Sequence, residues 1–115
     1  MTSKDPEQRK AEWLEKLKRE GKMHRNPRED HGMGLKTLQN PARRQILKLL
    51  SENNMNLGEI GKEMGIEGMQ AKLHLDMLED ALYVEKTDSN GEAVYGLTPR
   101  GEAYLENVKA GGKND

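Results

Sequence analysis

Between Gly68 and Lys86 the sequence reads GMQAKLHLDMLEDALYVEK, and the side chains there that could do chemistry would do it without a covalent step. Gln70 carries a paired donor and acceptor, Lys72 and Lys86 are cations, and His74 is an imidazole that can donate or accept. Met69, Leu73 and Met77 add apolar ends at spacings of four. Arg43 and Arg44 lie upstream, with Lys48 and Lys62 as further cations. This is recognition chemistry. Covalent or metal chemistry has much less to work with: no nucleophile–base pair, glycine-rich phosphate loop or metal-spaced triad stands out, so an enzyme is not expected. His24 and His31 with Glu29 and Asp30 match no compact ligand spacing, and a solvated segment is the simpler reading.

Composition limits what can hold these residues in place. The 115 residues suffice for one domain with an arm or tail. Only 33% are hydrophobic, 34% are charged and mean hydropathy is −1.01, so the apolar positions must cluster to form a core. Phe is absent and Met occurs seven times, which favours aliphatic and thioether packing between small helices. With no cysteine, disulfides, thiol catalysis and cysteine-based zinc sites are excluded. No apolar run is long enough to span a bilayer and no secretory h-region opens the chain, so a soluble, cytoplasmic protein without membrane contact is expected. The net charge is −1: residues 1–30 hold nine basic against seven acidic residues, whereas residues 36–110 hold nine against twelve. A phosphate-gripping surface would therefore have to be a local patch.

The elements follow from caps and periodicity. Asp5-Pro6 opens a helix to about Glu20 with a narrow stripe of Ala11, Trp13, Leu14 and Leu17. Residues 22–34 have the glycine, proline and mixed charge of a linker, which divides the chain into an arm and linker (1–34), a domain (35–109) and a disordered tail (110–115). Asn40-Pro41 starts a helix bearing Ile46, Leu47, Leu49 and Leu50. Leu57, Ile60 and Met64 define a short helix ending at Gly65, and Ala71, Leu75, Leu78 and Leu82 seat a third over about 68–82. Strands at Tyr83–Thr87 and Glu92–Leu97 flank the turn residues Asp88-Ser89-Asn90-Gly91. Thr98-Pro99 opens a last helix with Ala103, Tyr104, Leu105 and Val108 on its apolar face.

Three helices, a hairpin and a closing helix resemble the ArsR-type winged helix-turn-helix regulators over about residues 35–109. NPARRQILKLL is similar to the family's first helix, NLGEIGKEMGI to its positioning helix and turn, HLDMLEDALYVEK to the end of its recognition helix running into the wing, and YGLTPRGEAYL to its closing strand and helix. The fold class expected is mainly α with a small β-hairpin, a winged helix-turn-helix domain with an N-terminal helical arm. The resemblance implies double-stranded DNA as a partner, a homodimer, and a third helix laid in the major groove. On that footing Gln70 could pair with adenine, Lys72 with guanine or phosphate, and Met69 and Leu73 with thymine methyls. Arg43, Arg44 and Lys86 could reach phosphates, and His74 could reach a phosphate or cap a core contact, the commoner role of a lone helical histidine. In the metal-sensing branch paired cysteines occupy the positions of Asn56 and Gly58, which supply no thiolate, so neither metal nor other cofactor is expected.

Against DNA stand Asp76, Glu79, Asp80, Glu85, Asp88 and Glu92, all on the third helix and hairpin. The alternative is a winged-helix module for protein–protein contact, binding a partner through Met69, Leu73 and Met77. The arm has three open placements: over that same face, in a dimer interface, or free.

Overall fold

The computed structural model describes residues 5–22 and 26–112. The elements in chain order are α1 (Pro6–Arg19), α2 (Pro27–Leu38), α3 (Pro41–Glu52), β1 (Met55–Asn56), α4 (Leu57–Met64), α5 (Gly68–Asp80), β2 (Val84–Ser89), β3 (Glu92–Leu97) and α6 (Pro99–Gly112). The last three residues of the expected tail, and His24 among the linker residues, lie outside the described residues, whereas 110–112 continue α6.

Proline stands at the first position of four of these helices, where its missing N–H is lost from no helical bond. Asp5, Asn26 and Asn40 cap three of them, accepting from Gln8, Glu29 and Ala42 N–H groups. The core is the meeting of α3, α4, α5 and the sheet: Ile46, Leu47, Leu50, Ile60, Ala71, Leu75, Leu78, Val84 and Tyr95 form one buried cluster. The sheet is antiparallel with strand order β1-β3-β2, Met55 facing Tyr95 and Val84 facing Leu97. The hairpin turn is tighter than the sequence suggests. Asp88 and Ser89 remain in β2, and only Asn90 (φ 54°) and Gly91 (φ 81°) turn, the positive pair that a two-residue connection requires.

α2 occupies residues expected to form an irregular connection. Asn26 and Glu29 close a reciprocal capping box, and the helix contacts α3 while turning inward a face of Asp30, Met33, Gly34, Thr37 and Leu38 that also meets Tyr83 and Arg100. That face has helical spacing but few large apolar groups, so hydrophobic periodicity does not reveal it. Gly34 is there because Tyr83 is: a Cβ would lie 2.6 Å from the tyrosine hydroxyl. Asp30 reaches Arg100 of α6 at 2.7 Å.

The arm is docked. Trp13 and Leu17 bury themselves with Leu82, which follows α5, and Leu14 packs beside them. They do not lie over Met69 and Leu73, which the sequence left as one option. Arg9 forms a two-pronged pair with Glu102 of α6, at 2.7 and 2.9 Å, and Lys16 meets Glu85 at 3.2 Å. Both pairs are about 40% exposed on their basic side and each contributes roughly 0.2–1 kcal/mol. Burial of Leu17 alone is worth about 1.5–3 kcal/mol, so apolar contact with Leu82 decides where α1 sits.

Leu82 adopts φ 70°, a conformation that costs a non-glycine residue about 1–2 kcal/mol. Its carbonyl accepts the buried Thr98 hydroxyl at 2.6 Å, and that hydroxyl in turn accepts the Gly101 N–H at 3.1 Å. The Thr98 N–H binds the Tyr83 carbonyl at 3.1 Å. The same Tyr83 carbonyl lies where a Cβ on Gly101 would be. Because that oxygen belongs to hydrogen-bonded backbone, Gly101→Ala should destabilise the protein by about 1–3 kcal/mol, read as a lower urea midpoint at unchanged slope.

Candidate nucleic-acid interface

The pair α4–α5 is set by three local devices. Asn56 caps α4, its carbonyl oxygen accepting from Glu59 N–H while the Glu59 carboxylate accepts from Asn56 N–H. Gly65 ends α4 in the left-handed conformation. Gln70 then reaches back to accept from the Glu67 N–H at 3.4 Å, holding the first turn of α5. Ala71, Leu75 and Leu78 face the core as the four-three spacing predicts. The opposite side carries Met69 at 76% and Leu73 at 62% exposure, with Gln70, Lys72 and Asp76 also exposed and Met77 half-buried.

The structure divides the expected cations. Arg43 donates from Nε to His74 Nδ1 at 3.3 Å and from Nη1 to the Thr37 carbonyl at 3.1 Å. Arg44 donates to the Leu38 carbonyl at 2.6 Å. Both arginines therefore serve the carboxyl end of α2, whose last carbonyls lack helical partners. Lys72 bridges Asp76 at 3.0 and 3.2 Å, one turn along the same helix, and that hydrogen bond raises its pKa. Lys86 is exposed on β2 and stands opposite Tyr95 in register. Of the carboxylates that would repel phosphate, Asp76 is held by Lys72 and Glu92 accepts from the Asn56 amide at 3.0 Å.

Asn56 also answers whether the thiolate positions of the resembled metal sensors could serve here. Its amide is engaged as a cap and as a link to the hairpin, and Gly58 has no donor, so the residues present do not fit a thiophilic metal. Among the described residues no group of three or more His, Asp or Glu is arranged to hold a metal ion, and no helix is long and apolar enough to cross a membrane.

Sequence reasoning missed Arg100, which donates to the Ala81 carbonyl at the end of α5, and the Asp30 that pairs with it. Thr98-Pro99 is readable as a cap, but its second bond to Leu82 depends on chain returning sixteen residues later.

A two-helix turn seated on a third helix, followed by a β-hairpin closed against β1, defines a winged helix-turn-helix domain. Residues 40–86 match the family model for bacterial regulatory protein, arsR family, so that segment of the chain is similar to the family. Similar solved structures cover more of it. The homodimeric winged helix-turn-helix DNA-binding domain of Mb0332 from Mycobacterium bovis, described as a possible ArsR-family transcriptional regulator, superposes with a TM-score of 0.69 at 20% identity, covering 98% of this chain and 91% of that one. Rv0081 of Mycobacterium tuberculosis gives 0.64 at 26% identity over 75% and 89% of the two chains. HlyU of Vibrio cholerae gives 0.64 at 24% over 75% and 94%. No curated protein matches the chain in sequence.

Burial, and then the neighbouring Arg43 charge, lower the His74 pKa below its ordinary 6.5. A histidine depressed in the folded state is neutral there when the unfolded chain already binds a proton. Its contribution is full above about pH 6.5 and is lost as pH falls from that value through the folded one. Chemical denaturation of wild type should weaken more between pH 7.5 and 5.5 than that of His74→Gln, since glutamine keeps an acceptor for Arg43 and does not titrate. Equal pH slopes would remove this assignment.

Proposed function

We propose that the protein is a cytoplasmic transcriptional regulator that binds double-stranded DNA as a homodimer, without metal sensing at the Asn56 and Gly58 positions. The observation that supports this most is the placement of α5: seated by its inner stripe, flanked by the hairpin, and exposed along its amino-terminal half, the part that meets base edges in helix-turn-helix proteins. In this reading Met69, Gln70, Lys72 and Leu73 enter the groove and Lys86 approaches the flanking backbone. Arg43, Arg44 and His74 support α5 and α2 from the protein side, and any phosphate contact they make adds to that role.

The homodimeric neighbour favours a two-fold assembly. Trp13 and Leu17, which the sequence offers as interface residues, are already buried within the chain. The surface left is an open groove of about 1240 Å³ between α1, α3, the sheet and α6, floored by Leu50, Leu97, Tyr104 and Leu105, with Val108 at its edge. An isologous contact there would bury Val108, which is 47% exposed in the single chain. Two α5 helices about 34 Å apart would then read a two-fold site.

A second reading, a protein-binding module, draws on the exposed Met69 and Leu73 and on the excess of acidic residues over 36–110. Fluorescence anisotropy with mixed duplex DNA at low and moderate salt separates the two. Binding at low salt that weakens with salt supports the DNA reading, and none even at low salt sinks it. Within that experiment Lys72→Ala should lower the logarithmic salt slope by about 1 while weakening all sequences alike. In sedimentation equilibrium at micromolar concentration the wild type should be a dimer and Val108→Asp a monomer. A wild-type monomer would confine the protein to single half-sites.

A further inference from the structure

The polar groups on the exposed face of α5 are mostly committed to the protein. The Gln70 carbonyl oxygen accepts from Glu67 N–H at 3.4 Å at the start of its own helix, so pairing with adenine would compete with that bond. Lys72 and Asp76 are bridged to each other one turn apart on the same helix. His74 Nδ1 receives Arg43. Met69 and Leu73 are what remains: large, apolar, the most exposed hydrophobic side chains among the described residues, and four positions apart on the amino-terminal half.

We infer that base reading by this helix is carried by Met69 and Leu73 against thymine C5-methyl groups, so that the target is a half-site with two thymines at neighbouring base steps. The inference rests on the DNA-binding reading and specifies its ligand. Four residues advance a helix by about 6 Å, and stacked base pairs repeat at about 3.4 Å along each strand, so the two side chains match methyls one or two steps apart. The major groove is the only place where that methyl is displayed, and apolar contact is how proteins recognise it. In the groove each covers a methyl that water solvates poorly.

The test uses the full-length chain and duplexes it selects from a randomised pool. Each thymine of the selected half-site is then replaced by deoxyuridine, which pairs identically and lacks only the methyl. At two positions the replacement should weaken binding about fourfold, the equivalent of one buried methyl. Leu73→Ala should bind the thymine and deoxyuridine duplexes alike at one of those positions, and Met69→Ala at the other. Both residues are exposed, and unchanged thermal melting will show that the variants fold.

Equal affinity for thymine and deoxyuridine duplexes throughout would overturn the inference while leaving DNA binding intact, as would discrimination that survives in both alanine variants. If Leu73→Asp turns a wild-type dimer into a monomer, the face belongs to a second copy and the inference falls. Failure to enrich any duplex would overturn the DNA-binding reading and this inference together.

Discussion

The hydroxyl of Thr98 is the point on which the arrangement of helices turns. Buried to 1% exposure, it donates to the Leu82 carbonyl and accepts from Gly101 N–H, joining the exit of α5 to the entry of α6 through a single oxygen. Leu82 must turn left-handed for its carbonyl to face Thr98, and doing so also presents its side chain to Trp13 and Leu17. Arg100, two residues on, donates to the Ala81 carbonyl and to Asp30 of α2. One short segment thus sets the ends of α5 and α6 and the docking of α1 and α2. The cost of a left-handed leucine is about 1–2 kcal/mol, and the buried hydrogen bond with the apolar contact of α1 is enough to offset it.

How much of this was legible depends on what kind of residue makes each contact. The α3, α4 and α5 stripes are aliphatic, with Leu, Ile and Ala at helical spacing, and they fall where periodicity puts them except at Leu82: the helix ends at Asp80, and Leu82 turns left-handed to join Trp13 and Leu17 instead of completing the α5 stripe. The proline-led helix starts and the Asn90-Gly91 turn are equally local and equally readable. α2 is different. Its inner face carries Asp30, Gly34 and Thr37 beside Met33 and Leu38; Asp30 and Gly34 are matched to Arg100 and Tyr83 far along the chain, and no property of residues 22–34 taken alone distinguishes that face from a linker.

The candidate site divides along the same line. That Met69, Leu73 and Lys72 face outward follows from the inward stripe, because a helix has only two sides to offer. What a sequence does not disclose is which outward or flanking group is already spoken for. Arg43 and Arg44 have the chemistry of phosphate ligands, yet the unpaired carbonyls at the end of α2 claim them. That demand exists only because α2 is a helix, and missing the helix hides the demand.

Arg43 touches three helices at once: it belongs to α3, binds a carbonyl at the end of α2, and holds His74 on α5. The planar guanidinium presents its Nε and Nη1 donors in a fixed fork, which ties the three helices at a single corner like a gusset. Both partners depend on the same planar group, so the α2 carbonyl and the His74 ring lose their hydrogen bonds together when that group is removed. Shortening that side chain would leave each helix formed but let them move out of step.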